Sequence, residues 1–183
     1  MIPDFLVEAP SVVLRKFRPD DTAKVFRMSS EDGVRTWMPS EVYRDESHVA
    51  EVLARLIKLY EVDADPSTNP IVLGVELKGT GELIGHVSLS PLRDLVEIGF
   101  AIETARQRNG FATEAVKATC DWALLAYPIR RIHGVSAKHN IASQRTLQRA
   151  GFSRQKEEMM LMQGVEQMVV FFVYPGEPCV QNR

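Results

Sequence analysis

The stretch ARQRNGFATEA at 105–115 sets two arginines, a glutamine, an asparagine and a glycine at the mouth of a segment that reads as helix. The first turn of a helix leaves backbone N–H groups without carbonyl partners, and their partial positive charge favours an anion such as a pyrophosphate. Gly110 permits close approach of that group, and Arg106 and Arg108 can add charge-assisted contacts. Both arginines can equally be solvated surface residues, and glycine at a helix start is common. Elsewhere the chemistry-bearing residues are sparse. His86 has apolar neighbours and can face a cleft and relay a proton, or simply be hydrogen-bonded. His48, His133 and His139 share no ligand spacing with it, so no metal site is expected. Trp37 and Met38 stand beside Pro39 in GVRTWMPSEVYR, which reads as a loop whose large apolar groups either plug the core or line a substrate pocket.

The elements that must position these residues follow from periodicity. VVLRKFRP at 12–19 has strand character, and Asp20 and Asp21 then fit a helix start that runs through Met28. Val49, Val52, Leu53, Leu56, Ile57 and Tyr60 fall at spacings of three and four, which predicts an amphipathic helix over 47–60. DADPSTNP at 63–70 is a loop by composition. IVLGVEL, the turn KGTGE and LIGHVSLSPL read as a hairpin, followed by a strand at 96–102 and a helix from about Gly110 to Tyr127. Small residues on one face of that helix, among them Ala112, Ala115, Cys120 and Ala123, let it sit close to a sheet. RIHGVSAK is a further strand, NIASQRTLQRAGF a short helix closed by Gly151, and MMLMQG with QMVVFFVY a final hairpin. Adjacent strands argue for a largely antiparallel sheet, and the strand-helix-strand crossover at 96–138 for one parallel neighbour, so the fold class is mixed α/β.

Length and composition fit one domain over 1–183, with its core at about 12–174: 183 residues, 45% hydrophobic and 25% charged. Lys and Arg total 22 against 24 Asp and Glu, a net charge of -2, which gives no electrostatic footprint for nucleic acid or an anionic membrane. Cys120 and Cys179 lie far apart without ligand spacing, so neither a disulfide framework nor a zinc site is expected. The opening MIPDFLVEAP lacks the pattern of a signal peptide, and the longest apolar run, MVVFFVY, is too short to cross a bilayer, so the expected location is the cytoplasm.

Gln107-x-x-Gly110-x-Ala112, following a strand that ends in EIGFAI, resembles the acyl-CoA pyrophosphate loop of the GNAT superfamily of N-acetyltransferases. Asn140-Ile-Ala-Ser143 and the Ala-Gly-Phe at 150–152 resemble the branch that acetylates ribosomal-protein N-termini. The resemblance runs in order over about 12–174. It implies a GNAT-like α+β fold with a central, mostly antiparallel sheet of about seven strands and about four flanking helices. It further implies that the fourth strand (96–102) and the fifth (131–138) splay to admit acetyl-CoA. Pantetheine is then expected against the backbone of Phe100, Ala101 and Ile102, and the pyrophosphate on Gln107, Arg108, Asn109, Gly110, Phe111, Ala112 and Thr113. Gly99, inside that strand, can mark a bulge or a close backbone approach, or be no more than a weak spot.

The implied reaction moves acetyl from acetyl-CoA to a primary amine. It needs a neutral amine, a polarised carbonyl and a proton for the leaving thiolate. A main-chain N–H exposed by the splay can polarise the carbonyl, and proximity supplies much of the rest. The resemblance points to Glu97 as general base, whose alternative is a surface or paired strand carboxylate. Many superfamily members carry an acidic Tyr seven residues after the position of Asn140. Here that residue is Leu147, which leaves the Ser143 hydroxyl to bond the CoA sulfur and Asn140 to bond the pantetheine amide and cap the helix. The acceptor is a protein N-terminus or a small amine such as a polyamine or antibiotic, and the pocket candidates are Trp37, Met38 and His86. A non-catalytic acyl-CoA-binding module is the other class, and the chain is expected to be a monomer or a homodimer.

Overall fold

The computed structural model describes residues 7–61 and 65–175, and Cys179, the first six residues and 62–64 lie outside them. Side-chain alternation along the strands builds one sheet from β1 (Val7–Glu8), β2 (Val12–Arg15), β3 (Ile71–Leu77), β4 (Glu82–Leu92), β5 (Leu95–Ile102), β6 (Ile132–Ala137), β7 (Ser153–Met162) and β8 (Val165–Tyr174). Their order is β1-β2-β3-β4-β5-β6-β8-β7, and every pairing is antiparallel except β5 with β6. The helices are α1 (Thr22–Ser29), α2 (Asp32–Trp37), α3 (Glu46–Leu59), α4 (Phe111–Ala126) and α5 (Ile141–Arg149).

Helices cover both faces. On one, α4 presents Ala115, Val116, Cys120 and Ala123 to a core that includes Leu14, Val87, Ile98 and Phe172, and Leu147 of α5 joins the same cluster. The small side chains bring α4 close to the sheet, as the sequence predicts. On the other face, Met28 of α1 and Val49 and Leu53 of α3 pack with Phe17 and Leu83 in a second, smaller cluster. α5 ends as predicted: the amides of Gly151 and Phe152 donate to the carbonyls of Gln148 and Leu147, with Gly151 at φ +101°.

The strand and helix counts differ from expectation. Among the described residues there are eight strands and five helices, against about seven and four. Val7–Glu8 pairs with Val13–Leu14 over only two residues, too few to carry periodicity. The segment read as a loop around Trp37 contains α2, whose six residues likewise fall below the length at which apolar spacing becomes visible. The strand QMVVFFVY lies within the sheet, between β6 and β7, and its two neighbours come from this chain. Because β1 precedes the first strand that was expected, the strands expected to splay, fourth and fifth in the sequence reading, are β5 and β6.

Candidate active site

The wedge between β5 and β6 is where the sheet opens. The two strands share a single bridge, Glu97 with His133, whereas β4 and β5 pair over eight residues. The next main-chain N–H on β6 that faces β5, that of Val135, lies toward the Glu97 carboxylate and pulls its pKa down. The Glu97–His133 bridge is the last between the two strands, and they part beyond it.

Glu103 N–H donates to the Ile84 carbonyl at 2.9 Å, which sets the phase of the β4–β5 ladder. In an antiparallel pair such residues alternate, so the main-chain groups of Gly99 and Ala101 point at β4 and those of Phe100 and Ile102 at the wedge. Of the three residues expected along an extended ligand, Phe100 and Ile102 thus turn their main chain to the wedge, while Ala101 turns its own to β4 and lines the neighbouring cleft. The Ile102 carbonyl already accepts from Nε2 of Gln107 at 2.9 Å. Gln107 therefore ties the loop to the strand end.

Past Gln107 the backbone turns through left-handed conformations at Arg108 (φ +66°) and Gly110 (φ +86°) before α4 begins. Asn109 pins the turn, its Nδ2 donating to the carbonyls of Arg106 and Gln107. Among the described residues, the amides of Arg108, Asn109, Gly110, Phe111, Ala112 and Thr113 have no main-chain acceptor, and the first α4 bond outside the helix proper is Glu114 N to Gly110 O. Six successive free amides around a left-handed glycine are the kind of helix entrance that can hold an anion. Arg108 is exposed at its rim. Arg106 is not available to it: its guanidinium pairs with Glu82 at 2.6 Å and lies 3.8 Å from Glu103, and Lys24 of α1 joins both carboxylates.

On the β6 side, Asn140 caps α5 by accepting from the Ser143 amide at 3.1 Å. Ser143 is half-buried, and its hydroxyl has no partner among the described residues. Leu147, which stands where the resemblance leads one to look for a phenol, is buried over Gly134, where a Cβ would meet its Cδ2 at 2.9 Å. The structure places no bulge at Gly99, and what comes nearest to it is a side chain and not backbone. A Cβ there would sit 2.7 Å from Oγ of Ser88, and the register shift lies instead between Val75 and Glu76 in the β3–β4 pair.

Glu97 is the titrating group of the wedge. Burial pushes its pKa up to about 7, against the downward pull of the Val135 amide. A carboxylate balanced near neutrality is suited to take a proton in the working range.

Beside the wedge, on the face covered by α1 and α3, lies a cleft of about 230 Å³. Its floor is Gly85, His86, Ser88 and Ser90 of β4 with Ala101 and Ile102 of β5, and its walls come from α1, α2 and α3 and from Glu41 and Tyr43. Gly85 has no freedom to be anything larger: a Cβ would lie 2.2 Å from the Ala101 carbonyl oxygen. His86 does face the cleft, its Nε2 3.1 Å from Oε2 of Glu41. Burial opposes the charge on the ring, yet the Glu41 charge and hydrogen bond prevail and leave the His86 pKa raised, while Glu41 is lowered by the same partner against its own burial. Trp37 and Met38 are not among the cleft's lining residues. Glu41 and Tyr43, a few positions further on, are, and nothing in their sequence context distinguished them. Among the described residues no three His, Cys, Asp or Glu side chains gather as a metal set, and no helix is long and apolar enough to cross a membrane.

The sequence profile of the acetyltransferase (GNAT) domain matches residues 11–153. YoaA, an uncharacterised N-acetyltransferase of Bacillus subtilis, is 27% identical over 153 residues, covering 82% of this chain and 84% of its own. Among solved structures, a GNAT-family acetyltransferase from Bacillus anthracis has a TM-score of 0.77 at 20% identity, covering 92% of this chain and 97% of its own. RimL, a ribosomal L7/L12 α-N-protein acetyltransferase solved with coenzyme A, has a TM-score of 0.75 at 14% identity, with 92% and 97% covered. At such identities these structures speak for the fold.

Proposed function

This chain belongs to the GNAT acetyltransferase family and is an acetyl-CoA-dependent N-acetyltransferase, and from that premise we propose that it acetylates a protein N-terminal α-amine by direct attack in a ternary complex. The observation that carries the reading is Glu97 at the opening of the wedge, held near neutral pKa. A base of that strength matches an α-amine. At pH 7, deprotonating an amine of pKa about 8 costs roughly 1.4 kcal/mol, whereas a lysine amine near 10.4 costs roughly 4.6 kcal/mol. The N-terminal reaction of the RimL structure is a neighbour's property that agrees with this choice.

The residues present fit acetyl-CoA. The free amides of 108–113 suit its diphosphate, and the wedge-facing main chain of Phe100 and Ile102 suits an extended pantetheine. When bound, acetyl-CoA supplies an acyl thioester whose sulfur leaves as a thiolate. Glu97 takes the proton of the attacking amine, directly or through a water, as the C–N bond forms. The Phe100 amide donates to the carbonyl oxygen as negative charge develops there. Ser143 donates a hydrogen bond to the departing sulfur as the C–S bond breaks, and the thiolate, with a pKa near 8.5, gains its proton from solvent. Asn140 holds Ser143 in place through the helix cap and offers its amide to pantetheine.

Incubation with acetyl-CoA and a panel of peptides and small amines, read by thiol release and by mass spectrometry of the acceptors, tests the reading. Acetylation at the peptide α-amine is the expected outcome. Turnover of polyamines or other small amines with every peptide left unmodified would overturn it.

A further inference from the structure

The cleft beside the wedge has two chemically distinct sides. Its roof is apolar, formed by Val25 and Met28 of α1 and by Val52, Leu53 and Leu56 of α3. Its floor is polar and runs along β4 from Ser90, opposite Glu97, through Ser88 to His86, opposite Ala101. Four residues of strand separate the ends of that floor, about 13 Å. The Glu41–His86 pair stands at the end remote from Glu97. Glu31, Glu41 and Glu103 also line the cleft, but Glu41 is paired with His86, Glu103 with Lys24, and Glu31 accepts from Thr104, so these carboxylates are already partnered.

We infer that the residue carrying the acceptor amine has a bulky apolar side chain, of leucine, methionine or phenylalanine size, which fills this chamber while the amine lies at the Ser90–Glu97 end. The inference rests on the N-terminal acetyltransferase reading and names its substrate class. Size supports it: an apolar cavity of roughly 150 Å³ takes up a benzene ring, and this chamber is about 230 Å³. The side chain of an N-terminal serine or alanine leaves most of that volume without contacts, and the apolar roof is then wetted or void. Continuity supports it as well. Ala101 and Ile102 belong both to the chamber and to the strand that borders the wedge, so a group in the chamber lies beside the acyl site.

The test is a series of otherwise identical peptides beginning with Gly, Ser, Ala, Val, Leu, Met and Phe. It is paired with free amines that carry the same side chains, isoamylamine and phenethylamine among them, and kcat/KM is measured for each with the native enzyme. Each buried methylene is worth several-fold, so leucine should exceed alanine by roughly 50-fold. Val52→Phe and Val25→Phe, on half-buried roof positions of separate helices, should draw the leucine and phenylalanine peptides down toward the alanine peptide. Thermal midpoints and coenzyme A calorimetry report whether each variant is folded. Serine or alanine peptides turned over as fast as leucine or phenylalanine peptides would overturn the inference and leave the N-terminal reading standing. Free apolar amines turned over in order of size, with no peptide acetylated, would sustain the chamber and overturn the N-terminal reading instead. No turnover of any apolar acceptor would overturn the chamber.

Discussion

Replacing Glu97 by glutamine should make the protein more stable at alkaline pH and nearly inactive, and the two effects have one origin. Burial raises the folded-state pKa of Glu97 from an ordinary 4.5 to about 7. Below pH 4.5 the carboxyl is protonated in both folded and unfolded chains and has no effect on stability. Between 4.5 and 7 the folded state keeps a proton that the unfolded state has released, so stability falls as pH rises. Above 7 the loss is complete, and at about 1.4 kcal/mol per pH unit it reaches about 3 kcal/mol. Glutamine has the same shape, can accept from the Val135 amide through its carbonyl, and carries no charge to desolvate. At pH 8.5 the Glu97→Gln protein should therefore unfold up to about 3 kcal/mol less readily, a rise in Tm of roughly 6 to 12 °C for a chain of this size. At pH 4.5 the two proteins should melt nearly together. Over the same range, kcat should drop by about 10² to 10⁴, the usual contribution of a positioned base. The native kcat/KM profile should show an inflection near pH 7 that the variant lacks. Thermal melts at the two pH values and pH-dependent thiol release measure both effects. A variant that melts with the same offset from the native protein at both pH values, or that keeps more than a tenth of the native rate, would refute the assignment of Glu97 as a buried base.

Further outcomes follow from the surrounding geometry. Arg108→Ala should weaken coenzyme A binding several-fold and flatten its salt dependence, whereas Arg106→Ala, whose guanidinium is engaged by Glu82, should leave affinity within about two-fold by calorimetry. Ser143→Ala should lower kcat by roughly 10- to 100-fold, the worth of one hydrogen bond to a charged group, with little change in coenzyme A affinity. Gly85→Ala should destabilise the chain by about 1 to 3 kcal/mol in denaturant melts, because the new Cβ meets the Ala101 carbonyl oxygen. In Glu41→Gln, the His86 imidazole loses the charge that holds its proton, and its NMR titration should move to lower pH. Since a raised histidine pKa stabilises below the unfolded value and loses that contribution as pH rises through the folded one, this variant should be destabilised at pH 6 more than at pH 9.

The elements that position the site were legible wherever local chemistry alone dictates conformation. The 3.6-residue spacing of α3, the small face of α4, the glycine that ends α5 and the alternation along β3 to β5 each carry their own signal. Their boundaries fall within a few residues of the expected ones. The loop at 107–113 was legible for the same reason, since a left-handed glycine before a helix leaves donors free whatever packs nearby. What escaped depends on partners distant in sequence. Arg106 reads like Arg108 until Glu82, 24 residues away, is seen to hold it. Ala101 reads like Phe100 until the phase of the β4 ladder turns its main chain aside. Glu41 has no local distinction, and it becomes part of a cleft only because α2 and the segment after it bring it 3.1 Å from His86.

Glu97 stands between these cases. Its place on the strand can be read from the chain, but its function depends on which donor it meets across the wedge. It faces the Val135 amide, which could otherwise extend the β5–β6 ladder, and it is held in a desolvated position where its pKa rises. If Glu97 also keeps that amide from the β5–β6 ladder, then on the proposed function one side chain both opens the wedge and serves as the base. Removing the carboxylate altogether, as in Glu97→Ala, frees the Val135 amide to bond the Ile98 carbonyl. That variant should show slower amide exchange at Val135 and weaker coenzyme A binding, whereas Glu97→Gln should keep native affinity. Equal coenzyme A affinity in the two variants would mean that the splay is set elsewhere in the sheet and that Glu97 merely lines it.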